Sequence, residues 1–174
     1  MGAIEDAVDD YIEHIRPKME RELRYFQILR TDEEAVTLAA IAQLPNGKRH
    51  WHQRRIPRAA LEQSRERLLA NLPALRASTS FDELIDLIAA LIQSIPKIGE
   101  LAVYDTSLRI GARFGLEPTR VYVHAGTRVG ARALHFDGRQ RVIEMDEFPA
   151  PIRRLSAREA EDLLCRYKDA LAHA

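Results

Sequence analysis

The chain has 174 residues, 46% hydrophobic and 30% charged. That mix suits one folded domain and excludes a wholly disordered chain. Its 26 basic residues balance 26 acidic ones, so bulk charge cannot hold it on a nucleic acid, and any such binding must come from a local patch. The one cysteine, Cys165, excludes an intrachain disulfide and a multi-cysteine zinc site.

The acidic first residues, Glu5, Asp6, Asp9 and Asp10, are unlike a secretory leader. No run approaches a membrane span, because the longest apolar stretch, 84–95, is broken by Asp86 and by Gln93-Ser94. The expectation is a cytoplasmic protein with no membrane partner. Ile4, Val8, Ile12 and Ile15 recur at helical spacing, and Pro17 is expected to end or kink that helix. Met19, Leu23 and Phe26 continue a second one. Thr31 and Glu34 form a capping-box start for an Ala-rich helix through Leu44, and Pro45-Asn46-Gly47 marks a turn. Pro57 suits the first turn of a helix carrying Leu61, Leu68, Leu69 and Leu72.

Ser80 and Glu83 open a second capping box. The helix behind it places Phe81, Leu84, Ile85, Ile88, Leu91, Ile92 and Ile95 at spacings of three and four, and is expected to be the central core helix. After Pro96 and Gly99 a helix resumes to about Phe114, and Gly115 to Pro118 form a break. Val121-Tyr122-Val123 reads as a short extended piece and Arg141-Val142-Ile143 as strand or loop. Thr127 is expected to cap a helix to Leu134. Ser156 and Glu159 open a last helix with Ala160, Leu163, Leu164, Tyr167 and Leu171 inward. These elements predict a single all-α domain over residues 1–174, with almost no sheet.

Charge is unevenly spread. Residues 1–34 carry ten acids and five bases. Residues 48–67 carry seven bases and two acids, and residues 97–141 eight bases and four acids. Two basic zones that meet in space would make a polyanion surface; kept apart, they are solvated helix faces.

The segment Ile95-Pro96-Lys97-Ile98-Gly99-Glu100-Leu101-Ala102 lies between two helical stretches. It resembles the hairpin of helix-hairpin-helix DNA-binding proteins, whose pattern is apolar-Pro-Gly-apolar-Gly, then Ala three residues on. The resemblance implies a tight turn that presents backbone N–H groups to a phosphate at a helix start. It implies that Gly99 permits close approach and that Ile98 plugs the hairpin into its core. Lys97 stands where the pattern has its first glycine, and a left-handed backbone there favours glycine. The other reading of the segment is a plain connection between two helices.

Tyr104-Asp105-Thr106-Ser107-Leu108-Arg109-Ile110-Gly111-Ala112-Arg113-Phe114-Gly115 resembles the segment around the catalytic aspartate of helix-hairpin-helix DNA glycosylases. Asp105, Thr106, Arg109, Arg113 and Gly115 match in order, and Ser107 departs at a histidine position. The resemblance implies a carboxylate that stabilises a cationic sugar or activates the nucleophile, chemistry suited to an oxocarbenium-like state. The two resemblances conflict in spacing: in the glycosylases the aspartate follows the hairpin by about twenty residues, whereas Asp105 follows Gly99 by six. They also lack a counterpart for the lyase-type lysine. Without the resemblance, Asp105 and Arg109 form an i,i+4 ion pair on a helix surface.

Gly47-Lys48-Arg49-His50-Trp51-His52-Gln53-Arg54-Arg55 interleaves bases with an aromatic and two histidines. Arg49, Arg54 and Arg55 are candidates for phosphates and Trp51 for stacking on an unpaired base; the competing reading is a solvated loop with Trp51 anchored in the core. His50 and His52 lack a nearby acidic residue in the sequence to complete a metal site, so no metal and no organic cofactor is expected. In His124-Ala125-Gly126-Thr127-Arg128 the glycine, hydroxyl and guanidinium suggest an anion nest at a helix start, with His124 as acid–base candidate or as a satisfied structural histidine. Cys165, among Leu164 and Tyr167, reads as a buried thiol.

The sequence thus predicts a helix-hairpin-helix-like DNA-binding protein, in its most concrete form a glycosylase-like enzyme of DNA repair. Asp105 and His124 are the catalytic candidates. Arg49, Trp51, Arg55, Lys97, Gly99 and Arg128 are the nucleic-acid contacts. The alternatives are a nucleic-acid-binding module without chemistry, and a protein-interaction or oligomerisation domain in which the acidic start docks on the basic middle of another copy.

Overall fold

The computed structural model describes residues 2–173 and is all-α, relieved by a two-stranded sheet. The chain divides into two compact units, Glu20–Glu117 and the combination of Met1–Met19 with Pro118–Ala174.

The Glu20–Glu117 unit takes most of helix α2 (Arg16–Gln27), then α3 (Asp32–Ala40), α4 (Arg58–Ala70), α5 (Leu72–Ala77), α6 (Phe81–Ile92) and α7 (Glu100–Phe114). Thr31 caps α3 by accepting the Glu34 amide at 3.1 Å, and Ser80 caps α6 by accepting the Glu83 amide at 3.2 Å. Neither box closes on its own cap residue. Glu34 reaches back to the Arg30 amide and Glu83 to the Thr79 amide, one residue further. The Ala-rich helix stops at Ala40, short of the expected Leu44, because Ala42 turns left-handed at φ 56° and the chain folds back in a bridge between Gln43 and Arg49. α6 packs on α4 and α7, and α3 on α4 and α7. Leu84, Ile88 and Ile92 are fully or almost fully buried, as expected of a core helix. Gly115, left-handed at φ 71°, ends α7 at the expected place.

In the other unit, α1 (Ala3–Asp10) leads through a π turn (Tyr11–Ile15) into α2. The helix does not end at Pro17. A wide turn with i→i−5 bonding accommodates the ring that would otherwise clash with the preceding turn, and the Arg16 amide reaches the Tyr11 carbonyl. Strands β1 (Val121–Tyr122) and β2 (Val142–Ile143) pair antiparallel, Val121 opposite Ile143. Helices α8 (Ala125–Ala133), α9 (Ala157–Arg166) and α10 (Lys168–Leu171) complete it. Val8, Tyr11, Val121, Ile143, Ile152, Leu163 and Leu164 form its core, with Ile4, Ile12 and Ile15 packed against it. Ser156 and Glu159 make a complete capping box, as the spacing predicts. Arg16 donates twice to the Glu159 carboxylate, at 2.6 and 3.0 Å. Burial raises the pKa of Glu159, but the Arg16 bonds, the Ser156 amide and the Arg16 and Arg158 charges outweigh it and hold the carboxyl below its usual range. No helix among the described residues is long and apolar enough to cross a membrane.

Candidate functional site

The segment between α6 and α7 is a tight turn. Lys97 adopts φ 74°, the left-handed region that glycine favours. Ile98, next to it, is 6% exposed, so it plugs the turn as expected. The Ile98 amide closes the turn on the Ile95 carbonyl at 3.0 Å, and the Val103 amide starts α7 on the Gly99 carbonyl at 3.1 Å. The amides of Gly99, Leu101 and Ala102 have no acceptor among the described residues. A Cβ built on Gly99 would meet nothing within 4 Å, so the backbone lies open to an incoming group. Lys97 is exposed, and Arg67 from α4 donates to the Leu91 carbonyl and the Ser94 hydroxyl, both at 3.0 Å, beside the same turn.

Asp105 lies six residues further along α7, about 9 Å from Gly99 at the helical rise. It does not pair with Arg109 as a helix-surface couple. His52 and Gln53 instead converge on its Oδ2, at 3.2 and 2.5 Å. Arg109 is buried and turned to the Glu22 carboxylate at 3.7 Å and to Gln53 Oε1 at 3.4 Å. His50 faces the same Glu22 at 3.8 Å. Burial works to raise the Asp105 pKa, but the His52 bond, the charges of Arg109 and His52 and the Gln53 bond prevail and hold it below its ordinary value. His50 is pushed down to about 4, first by burial and then by the Arg109 charge, against the pull of Asp105.

These contacts fasten the 50–55 loop to α7. Trp51 is 56% exposed, not anchored in the core, and its ring lies 3.8 Å from that of His52. Arg54 and Arg55 are exposed. Arg49 differs: its guanidinium donates to the Ile56 carbonyl at 3.0 Å and it lines a cavity of about 220 Å³ with Arg58 and Glu62. The structure therefore places Trp51, Arg55, Lys97, Gly99 and Asp105 in one unit, with the hairpin at the start of α7 and the loop fastened to it at Asp105 and Arg109. Arg49 shares the unit but is engaged by its own loop.

His124 and Arg128 belong to the other unit. The cap of α8 is His124, not Thr127. Thr127 lies one turn inside, where its hydroxyl accepts the His124 amide at 2.7 Å and donates to the His124 carbonyl at 3.0 Å. The expected nest is thus closed by the protein's own groups. Arg128 donates to the Gly138 carbonyl at 2.8 Å. His124 is 3% exposed and its Nε2 bonds the Glu161 carboxylate. Cys165 packs against Gly126, and burial, followed by the Glu161 and Asp162 charges, pushes its thiol up to about 11. The thiol is part-buried, where the sequence suggests a buried one.

Sequence reasoning did not bring in Glu22, Gln53 or the inward turn of Arg109. The signal available was a His-x-His pair with no local acid and, in the helix after the hairpin, an aspartate with no local histidine. No family model matches the chain, and neither a curated protein nor a solved structure gives a significant match.

Proposed function

We propose that the Glu20–Glu117 unit binds DNA through the α6–α7 hairpin, with the 50–55 loop as its second contact. The observation that carries this reading is the backbone of Lys97. A lysine held at φ 74° beside a buried Ile98 reproduces the turn that the hairpin pattern builds with glycine. The open amides of Gly99, Leu101 and Ala102 at the start of a fifteen-residue helix suit a phosphate oxygen. Lys97 adds a charge at the same place, Arg55 adds one from the loop, and the exposed face of Trp51 offers a surface for an unpaired base.

The reading is binding without chemistry. Asp105 Oδ2 accepts from both His52 and Gln53, which makes the carboxylate the tether that fastens the loop to α7. Base excision by Asp105 is the second reading, favoured by a carboxylate kept ionised beside His52, whose ring Trp51 packs against. Anisotropy titrations with a labelled duplex and its single strand at several salt concentrations test the first. Binding should weaken with salt, and Lys97→Glu should weaken it about tenfold or more, the loss of one phosphate contact and the gain of a repulsion. Binding that is absent, or indifferent to Lys97→Glu and Gly99→Val, overturns it. Excision by the wild type that is lost in Asp105→Asn with DNA binding retained would establish the second reading in place of the first.

A further inference from the structure

The buried polar cluster behind Trp51 holds more donors than a tether needs. His50, His52 and Asp105 each offer a ligand atom, and these atoms all lie within 4.8 Å of one another. His52 Nδ1 and Asp105 Oδ2 are 3.2 Å apart. The edge of a tetrahedron with metal–ligand bonds of about 2.0 Å is about 3.3 Å, so this pair already spans two adjacent corners. Glu22 Oε2 lies 3.8 Å from His50 Nε2, outside that group of three.

We propose that His50, His52 and Asp105 form a site for one divalent transition-metal ion of the zinc type, with the fourth position left to water. Two imidazoles with a carboxylate suit a borderline cation such as zinc, whereas magnesium and calcium take oxygen ligands. The groups behind the ligands are those a metal site uses for orientation. Gln53 donates to Asp105 and is itself held by Arg109, which also faces Glu22. The His52 and Asp105 side chains are each 13% exposed, which leaves a way in, and the Trp51 ring covers His52.

The test uses the full chain stripped with EDTA, free of DNA, and zinc or cobalt(II) alone as the probe. Calorimetry should give one zinc per chain. Cobalt(II) should give the intense visible bands of a four-coordinate site. Both His52→Ala and Asp105→Asn should weaken zinc at least tenfold, while His14→Ala and His173→Ala leave it unchanged. Zinc should also slow modification of the wild-type His50 and His52 rings by diethylpyrocarbonate, a readout that needs no variant to fold. No zinc uptake, the weak bands of six-coordinate cobalt, an affinity set by His14 or His173, or unchanged modification rates would each overturn the proposal.

Discussion

Replacing Lys97 with glycine separates the backbone of the hairpin from its charge. Lys97 sits at φ 74°, where an L-residue meets a steric cost of roughly 1–2 kcal/mol. Glycine removes that cost but loses roughly 0.5–1 kcal/mol more chain entropy on folding. The side chain is exposed, so no packing is lost. The net expectation is a gain of about 0.5–1 kcal/mol, or about 1–4 °C in Tm for a chain of this size. The missing ammonium should lower the slope of log affinity against log salt by about 0.9, one phosphate on duplex DNA. Urea unfolding and salt-dependent anisotropy measure the two effects on the same protein. Lys97→Ala serves as the control, because it loses the charge and keeps the strained backbone. It should bind like Lys97→Gly and unfold like the wild type. A Lys97→Gly protein that is less stable, or one whose salt slope is unaltered, refutes the reasoning on the turn or on the phosphate respectively.

Three further outcomes follow from the geometry. Trp51→Ala should leave stability within about 0.5 kcal/mol, since the ring is exposed, yet weaken single-strand binding by about 1–3 kcal/mol in anisotropy titrations. A Cβ at residue 130 would lie 2.2 Å from the Leu164 carbonyl oxygen and 2.8 Å from its carbon, backbone that cannot rotate away. Gly130→Ala should therefore cost about 1–3 kcal/mol by forcing α8 from α9, read by urea denaturation. Glu159 has a folded pKa below its unfolded value, which lies near 4.5. Its contribution is therefore present above that value and is lost as pH falls through the folded one. Glu159→Gln should lower stability near neutrality by about 1–3 kcal/mol and flatten the acid limb below about pH 4.5 in unfolding measured across pH.

What could be read in the chain, and what could not, divides along the range of the interaction concerned. Helix starts at Thr31, Ser80 and Ser156 were legible because a cap is satisfied within four residues, whatever surrounds it. The α7 stop at Gly115 was legible for the same reason, and so was the buried plug at Ile98. Pro17 was legible as an irregularity in the helix but not in its form, because the remedy for its ring is a π turn and no residue type signals one. The α8 cap misled because Thr127, whose hydroxyl suits a cap, lies one turn inside the helix and bonds back to the His124 backbone.

The cluster on α7 marks the far limit of such reading. Asp105 and His52 are 53 residues apart, and their contact depends on how α7 is seated in its unit. Seen locally, His50 and His52 have no acid, and Asp105 has Arg109 in reach at i+4. Folding reverses both impressions: Arg109 turns inward to Glu22 and Gln53, and Asp105 receives the histidine loop. A carboxylate inside α7 fixes His52 and Gln53, and with them the exposed Trp51 between the two histidines and the arginines that follow. Loss of the Asp105 tether should then disperse the loop and leave the hairpin intact.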